Sequence, residues 1–225
     1  MKIISALTVL ISVVCAAPVV ERQAACATGV HMIVARASTE RQGEGFISSV
    51  ATRVKSTIPG SDSEAVVYPA TLDNYQSSQS QGVAAMKTLV VDYVARCPNA
   101  KIALLGYSQG AHVAADLMCG GFGGSGAGST PISSAIASKN IIAVIEMGDP
   151  SHIPNQVYNV GTSTKNGIFV RPNAATCLGK QYTQNYCDTG DVYCDSGNIA
   201  SVHTSYVSKY GSQAASYIVT KFRAV

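Results

Sequence analysis

The stretch Lys101–His112, KIALLGYSQGAH, decides how the rest of the chain is read. An apolar run of strand character ends at a serine with a glycine two positions to either side. Residues of helical pattern, QGAHVAADLMC, follow at once. At average residue usage a G-x-S-x-G arises by chance in roughly one chain in ten of this length, so the five residues alone say little. Their setting says more. A strand, a sharp turn and a helix form the geometry that lifts a serine hydroxyl out of the backbone, and small flanking residues let the turn close. Ser108 is therefore the candidate nucleophile, and the N–H of Gln109 is a candidate donor to the oxyanion that its attack would create.

Outward from this stretch, strand and helix patterns alternate. Gly29–Ala35 and Glu64–Ala70 read as strands before it, Ile141–Met147 and the short Gly167–Pro172 as strands after it. Apolar residues recur at helical spacing over Gly45–Pro59 and Ser77–Cys97. In the final helix Tyr206, Tyr210, Ala214, Tyr217 and Ile218 share one side. This alternation predicts an α/β fold with a mostly parallel central sheet and helices on both faces. Gly120–Thr130 contains a literal G-x-G-x-x-G, but it follows a helix instead of a strand and reads as a surface connection.

A serine needs a base, and the base needs an acid to orient it. The four histidines are His31, His112, His152 and His203. His31 sits mid-strand, His112 one turn below Ser108 pointing poorly back, and His152 in a loop after a strand, where it is a rival. His203 comes just before the last helix, in the order serine, acid, histidine. Asp191 is the leading acid, with Glu146 and Asp149 as rivals at the end of the fourth strand. Asp188 and Asp195 read as solvated loop acids. If Cys187 and Cys194 pair, Asp191 lies on a closed loop of eight residues, a closure that contributes about 2–3 kcal/mol in the chain-entropy model.

The chain of 225 residues is 47% hydrophobic with a formal charge of +3, which suits one domain and gives no case for nucleic acid as a partner. Its opening, MKIISALTVLISVVCAAPVV, has the layout of a secretory signal peptide, with an uncleaved anchor as the competing reading. Residues 1–17 are expected to be the signal, 18–22 a short propeptide and 23–225 a single catalytic domain. The protein is then secreted, with no membrane partner. Without the signal's Cys15, six cysteines remain: Cys26, Cys97, Cys119, Cys177, Cys187 and Cys194. In a secreted chain they read as three disulfides with 15 possible pairings, and none has zinc-ligand spacing.

With these residues assembled, the chain resembles the cutinase and acetylxylan esterase family of secreted fungal serine esterases. Five separated anchors carry the resemblance: ARASTE (Ala35–Glu40), CPNAKIALLGYSQGA (Cys97–Ala111), MGDP (Met147–Pro150), YCDTGDVYC (Tyr186–Cys194) and the His203 region. It implies a small, lidless α/β-hydrolase three-layer sandwich in which Ser108, His203 and Asp191 act together. It also implies that Ser38 completes an oxyanion hole with Gln109, a role nothing else in the sequence marks. Bridges Cys26–Cys97 and Cys187–Cys194 match the family, which leaves Cys119 to Cys177. Neither a metal nor a cofactor is expected.

The two branches of the family differ in substrate. MGDP, NVGT (Asn159–Thr162), Arg171-Pro172 and KYGSQA (Lys209–Ala214) resemble the acetylxylan esterases, and Tyr193 stands where that branch has an aromatic narrowing the acyl pocket. The expected substrate is an acetylated polysaccharide, with a cutin-type polyester as the alternative. Glu146 replaces an aromatic, the extra cysteine pair often found after YPA is missing, and Ile153, Pro154 and Val157 offer an apolar rim. A general lipase would show a hydrophobic lid sequence, and none is legible. A wall-binding or host-recognised protein without catalysis is the remaining alternative, and the full set of triad residues argues against it. A monomer is expected.

Overall fold

The computed structural model describes residues 25–121, 129–172 and 174–225. The expected signal, propeptide and Gln23 start lie outside them, as does most of the glycine-rich Gly120–Thr130 stretch. Six strands form one sheet: β1 (Val30–Ala35), β2 (Asp62–Ala65), β3 (Lys101–Tyr107), β4 (Ile141–Met147), β5 (Asn159–Val160) and β6 (Thr183–Tyr186). Their order is β2-β1-β3-β4-β6-β5, and every pairing is parallel. The parallel expectation holds, and it brings every strand's C-terminal end to one edge.

The sheet is buried on both sides, so its central strands are apolar runs and not alternating patterns. In β3, Ile102 and Leu104 join Val83, Met86 and Val113 in one core. Ala103 and Leu105 point the other way, toward Val50, Val54, Tyr206 and Ile218. Helices α2 (Tyr75–Arg96) and α3 (Gln109–Cys119) thus cover one face, with α1 (Ser48–Thr57) and α6 (Tyr206–Arg223) on the other. Each fully buried Leu or Ile contributes roughly 1.5–3 kcal/mol. Two shorter helices are α4 (Ser134–Lys139) and α5 (Ala200–His203).

Two strand expectations need correction. The second strand is β2, four residues beginning at Asp62, and it ends before most of Glu64–Ala70. Past Val66 the carbonyls of Tyr68 and Pro69 turn to the Arg36 guanidinium, 2.8 and 3.2 Å away, and Pro69 has no N–H to offer a ladder. Gly167–Pro172 is not a strand. It crosses the C-terminal edge as a strap, with Ile168 N–H donating to Tyr193 O (2.8 Å) and Phe169 N–H to Pro150 O (2.9 Å). The remaining strands are NV and TQNY, too short and polar to announce themselves.

The three disulfides are Cys26–Cys97, Cys119–Cys177 and Cys187–Cys194, the set the resemblance implied. No helix among the described residues is long and apolar enough to cross a membrane.

Candidate active site

Ser108 stands between β3 and α3 at φ 54° and ψ −116°, a left-handed backbone that a non-glycine residue holds at a cost of about 1–3 kcal/mol. Packing enforces it. A Cβ on Gly106 would meet Gly110 O at 2.2 Å, and one on Gly110 would meet Ala35 O at 2.1 Å. The glycines of G-x-S-x-G are therefore there because strand, turn and helix touch backbone to backbone. The Ser108 N–H is tied down by Met147 O at 2.8 Å.

His203 ends α5 and reaches the serine, its Nε2 lying 2.9 Å from Ser108 Oγ. Its Nδ1 donates to Asp191 Oδ2 at 2.9 Å, and lies 3.1 Å from Oδ1. With Nδ1 carrying the proton, the Nε2 lone pair faces the hydroxyl. Asp191 has no exposed surface, yet it is well supplied with donors. Tyr193 N–H (2.7 Å) and Cys194 N–H (3.0 Å) reach Oδ1, and the Tyr206 hydroxyl reaches Oδ2 at 2.7 Å. Burial pushes its carboxyl up, but the hydrogen bonds and the His203 interaction outweigh that and hold it below the usual range.

The other candidates lie elsewhere. His31 is buried, bonded to Asp62 (2.6 Å) and Glu64 (2.9 Å) and stacked on Tyr93. His112 meets the Tyr75 hydroxyl at 3.1 Å. His152 Nδ1 is 2.7 Å from Asn185 Oδ1, and that amide also donates to Glu146 (2.8 Å) and Asp149 (3.1 Å). His152, Asn185, Glu146 and Asp149 are themselves buried and line a separate small pocket of about 20 Å³. There burial, then the Asp149 charge, pushes Glu146 up to about 8. Asp188 and Asp195 are not solvated: Lys209, Tyr210 and Thr162 hold the first, and Ser163 and the Gly190 N–H the second.

Ser108 and His203 open into a cleft of about 890 Å³. Ser38 lines it, and its hydroxyl oxygen is buried without a hydrogen-bond partner among the described residues. Gln109 begins α3, where a helix has N–H groups without intrahelical acceptors. The Glu40 carboxylate fixes the Ser38 loop by accepting from Ala37 N–H (2.6 Å) and Phe46 N–H (2.7 Å). Tyr193 also lines the cleft, its ring centroid 4.5 Å from that of His203 in an edge-to-face contact. Phe46 and Leu72 line it at 75% and 56% exposure, and Ile168 and Phe169, also exposed, add to its apolar rim. Ile153, Pro154 and Val157 are not among the lining residues, which corrects the expected rim.

Sequence reading missed Tyr206 and Gly148. Tyr206 carried the signal of a core helix face and nothing of its hydroxyl's destination. Gly148 lay in plain view in MGDP, but its contact with His203 follows only from the folded chain.

A serine raised at the C-terminal edge of a parallel sheet, bonded to an imidazole and through it to a buried carboxylate, defines an α/β hydrolase. Comparison with known proteins agrees. The Cutinase family profile matches residues 26–222, and the chain belongs to that family. It is 35% identical to cutinase 11 of Verticillium dahliae, over 95% of this chain and 75% of that one. It is 36% identical to acetylxylan esterase 2 of Talaromyces purpureogenus, over 85% and 86%. A solved acetylxylan esterase structure superposes with a TM-score of 0.83 at 36% identity, covering 88% of this chain and all of that one. The chain is a serine carboxylesterase.

Proposed function

We propose that this esterase removes acetyl groups from a plant-wall polysaccharide such as xylan, through an acyl-enzyme formed on Ser108. His203 Nε2 takes the Ser108 proton as Oγ attacks the ester carbonyl, while Asp191 orients the ring and stabilises the imidazolium. The oxyanion accepts from Gln109 N–H and from Ser38, whose unpartnered hydroxyl is suited to a charge that exists only in the transition state. His203 then gives its proton to the departing sugar hydroxyl. Water, deprotonated by the same nitrogen, releases acetate. No metal or cofactor takes part. The three disulfides and the apolar opening stretch of the sequence support export.

The observation that carries the substrate is Tyr193. Its ring lies edge-to-face on His203 in the cleft that Ser108 also lines, and in this reading it sets the length of acyl chain that fits. The relatives at 36% identity named as acetylxylan esterases support the same choice. A second reading, hydrolysis of a cutin-type polyester, is favoured by the exposed apolar rim at Phe46, Leu72, Ile168 and Phe169.

The test is hydrolysis of p-nitrophenyl esters from acetate to palmitate, with acetate release from acetylated xylan and the Ser108→Ala variant alongside. Acetate preference, release from xylan and loss of activity in the variant are expected. A maximum at butyrate or longer would make the polyester reading correct. An active variant would remove Ser108 from the mechanism.

A further inference from the structure

Asp191 is gripped from the helix that follows His203 as well as from its own loop. The Tyr206 hydroxyl donates to Asp191 Oδ2 at 2.7 Å and accepts the Asp188 N–H at 2.9 Å. One turn on, Lys209 Nζ reaches Asp188 Oδ2 at 2.6 Å and the Tyr210 hydroxyl reaches Oδ1 at 2.9 Å. Positions i, i+3 and i+4 lie on one helix face, so the first turn of α6 clamps the loop closed by Cys187–Cys194 at both of its carboxylates. Tyr206 is fully buried, so a phenol there without partners would be costly. Its hydroxyl also lies 3.2 Å from Cys194 Sγ, a disulfide sulfur that can only accept, but the carboxylate is the stronger acceptor, and the bonds to Asp191 and Asp188 explain its position.

We propose that Tyr206 is a positioning residue for ester hydrolysis, its hydroxyl holding Asp191 in the plane of the His203 ring and sharing the carboxylate's charge. The proposal rests on the assignment of Asp191 and His203 to the reaction. It adds a fourth side chain to the three that the chemistry needs. Burial, and the carboxylates beside it, keep the phenol protonated and able to donate. Without that donor, more of the Asp191 charge falls on His203, and Oδ2 loses its anchor while Oδ1 keeps the Tyr193 and Cys194 N–H groups, so the carboxylate can swing about Oδ1. The first effect favours the imidazolium and moves the acid limb of the pH–rate profile to higher pH. The second lowers kcat while leaving substrate binding alone. The titratable groups around the hydroxyl are Asp191 and Asp188 of the loop, His203 of α5, Tyr107 of β3, and Lys209 and Tyr210 of α6.

The experiment compares Tyr206→Phe with the parent on p-nitrophenyl acetate across pH, with rates normalised to active sites titrated by a phosphonate. A kcat lower by about tenfold, an unchanged KM and an acid limb displaced to higher pH are expected. Genetic placement of a fluorotyrosine at position 206, a stronger donor in the same shape, should move the limb the opposite way and keeps the question open to test if the Phe variant folds poorly. An unmoved limb in both proteins, whatever the rate, would reduce Tyr206 to a packing residue and overturn the proposal. Failure of the underlying assignment would show separately, as retained activity in Ser108→Ala.

Discussion

Gly148 lies against the His203 ring. A Cβ added there would stand 2.8 Å from His203 Cε1 and 3.0 Å from Nδ1, and the residue's φ of +65° already disfavours any side chain. The imidazole is thus held from behind by backbone, with Asp191 on one nitrogen and Ser108 on the other. Gly148→Ala must push the ring or bend the chain. A displacement approaching 1 Å costs on the order of a hundredfold in rate. Steady-state kinetics on p-nitrophenyl acetate should show that loss in kcat, and a variant within twofold of the parent would mean the ring has more room than its contacts imply.

Tyr193 offers a direct handle on acyl length. Tyr193→Val keeps the backbone N–H that bonds Asp191 and removes the ring beside His203. The ratio of p-nitrophenyl butyrate to acetate hydrolysis is expected to rise about tenfold, a change of about 1.4 kcal/mol in relative barrier. An unchanged ratio would place the length filter elsewhere in the cleft.

Glu146 gives a stability signature. Its folded-state pKa is raised, so between its ordinary value near 4.5 and about 8 the folded chain holds a proton that the unfolded chain has lost. Stability from this group therefore falls as pH rises through that window. Glu146→Gln keeps an oxygen for the Asn185 amide and abolishes the titration. Thermal melts should find the variant equal to the parent near pH 4 and more stable at pH 8. A constant difference across pH would refute the assignment.

Removing the Cys187–Cys194 bridge, as Cys187→Ala with Cys194→Ala, frees an eight-residue loop. The expected loss of stability is about 2–3 kcal/mol, read from urea unfolding. Activity should fall further than the folded fraction does, because Asp191 is on that loop. Proportional losses would show that the clamp from α6 orients the carboxylate unaided.

Much of this was legible, and the reason is burial. β3 spans Lys101–Tyr107 and α3 Gln109–Cys119, the two segments that the KIALLGYSQGAH reading separated at Ser108, because a strand covered on both faces must be an apolar run. His203 and Asp191 could be ranked by chain order and by the cysteines around the acid. What stayed hidden was set by long-range polar contacts. β6 is recognisable by its neighbours β4 and β5, Asp188 by Lys209 and Tyr210 arriving from α6 and by Thr162, and Glu146 by the Asn185 amide that reaches it from β6. Such partners come from segments tens of residues away and leave no periodic trace. The strap at Gly167–Pro172 misled for a related reason: its apolar residues serve the cleft instead of the core.

The parallel sheet also settles which way the molecule faces. Cys26, bonded to Cys97, lies before β1 and therefore at the edge opposite Ser108. Helix α6 starts beside His203 and runs 18 residues away, roughly 27 Å at the rise of an α-helix, so Arg223 ends at that far edge too. An attachment made through either end of the domain leaves the cleft pointing outward. The esterase can therefore be fixed to a support or fused to a carrier through either end and still present its cleft to whatever lies in front of it.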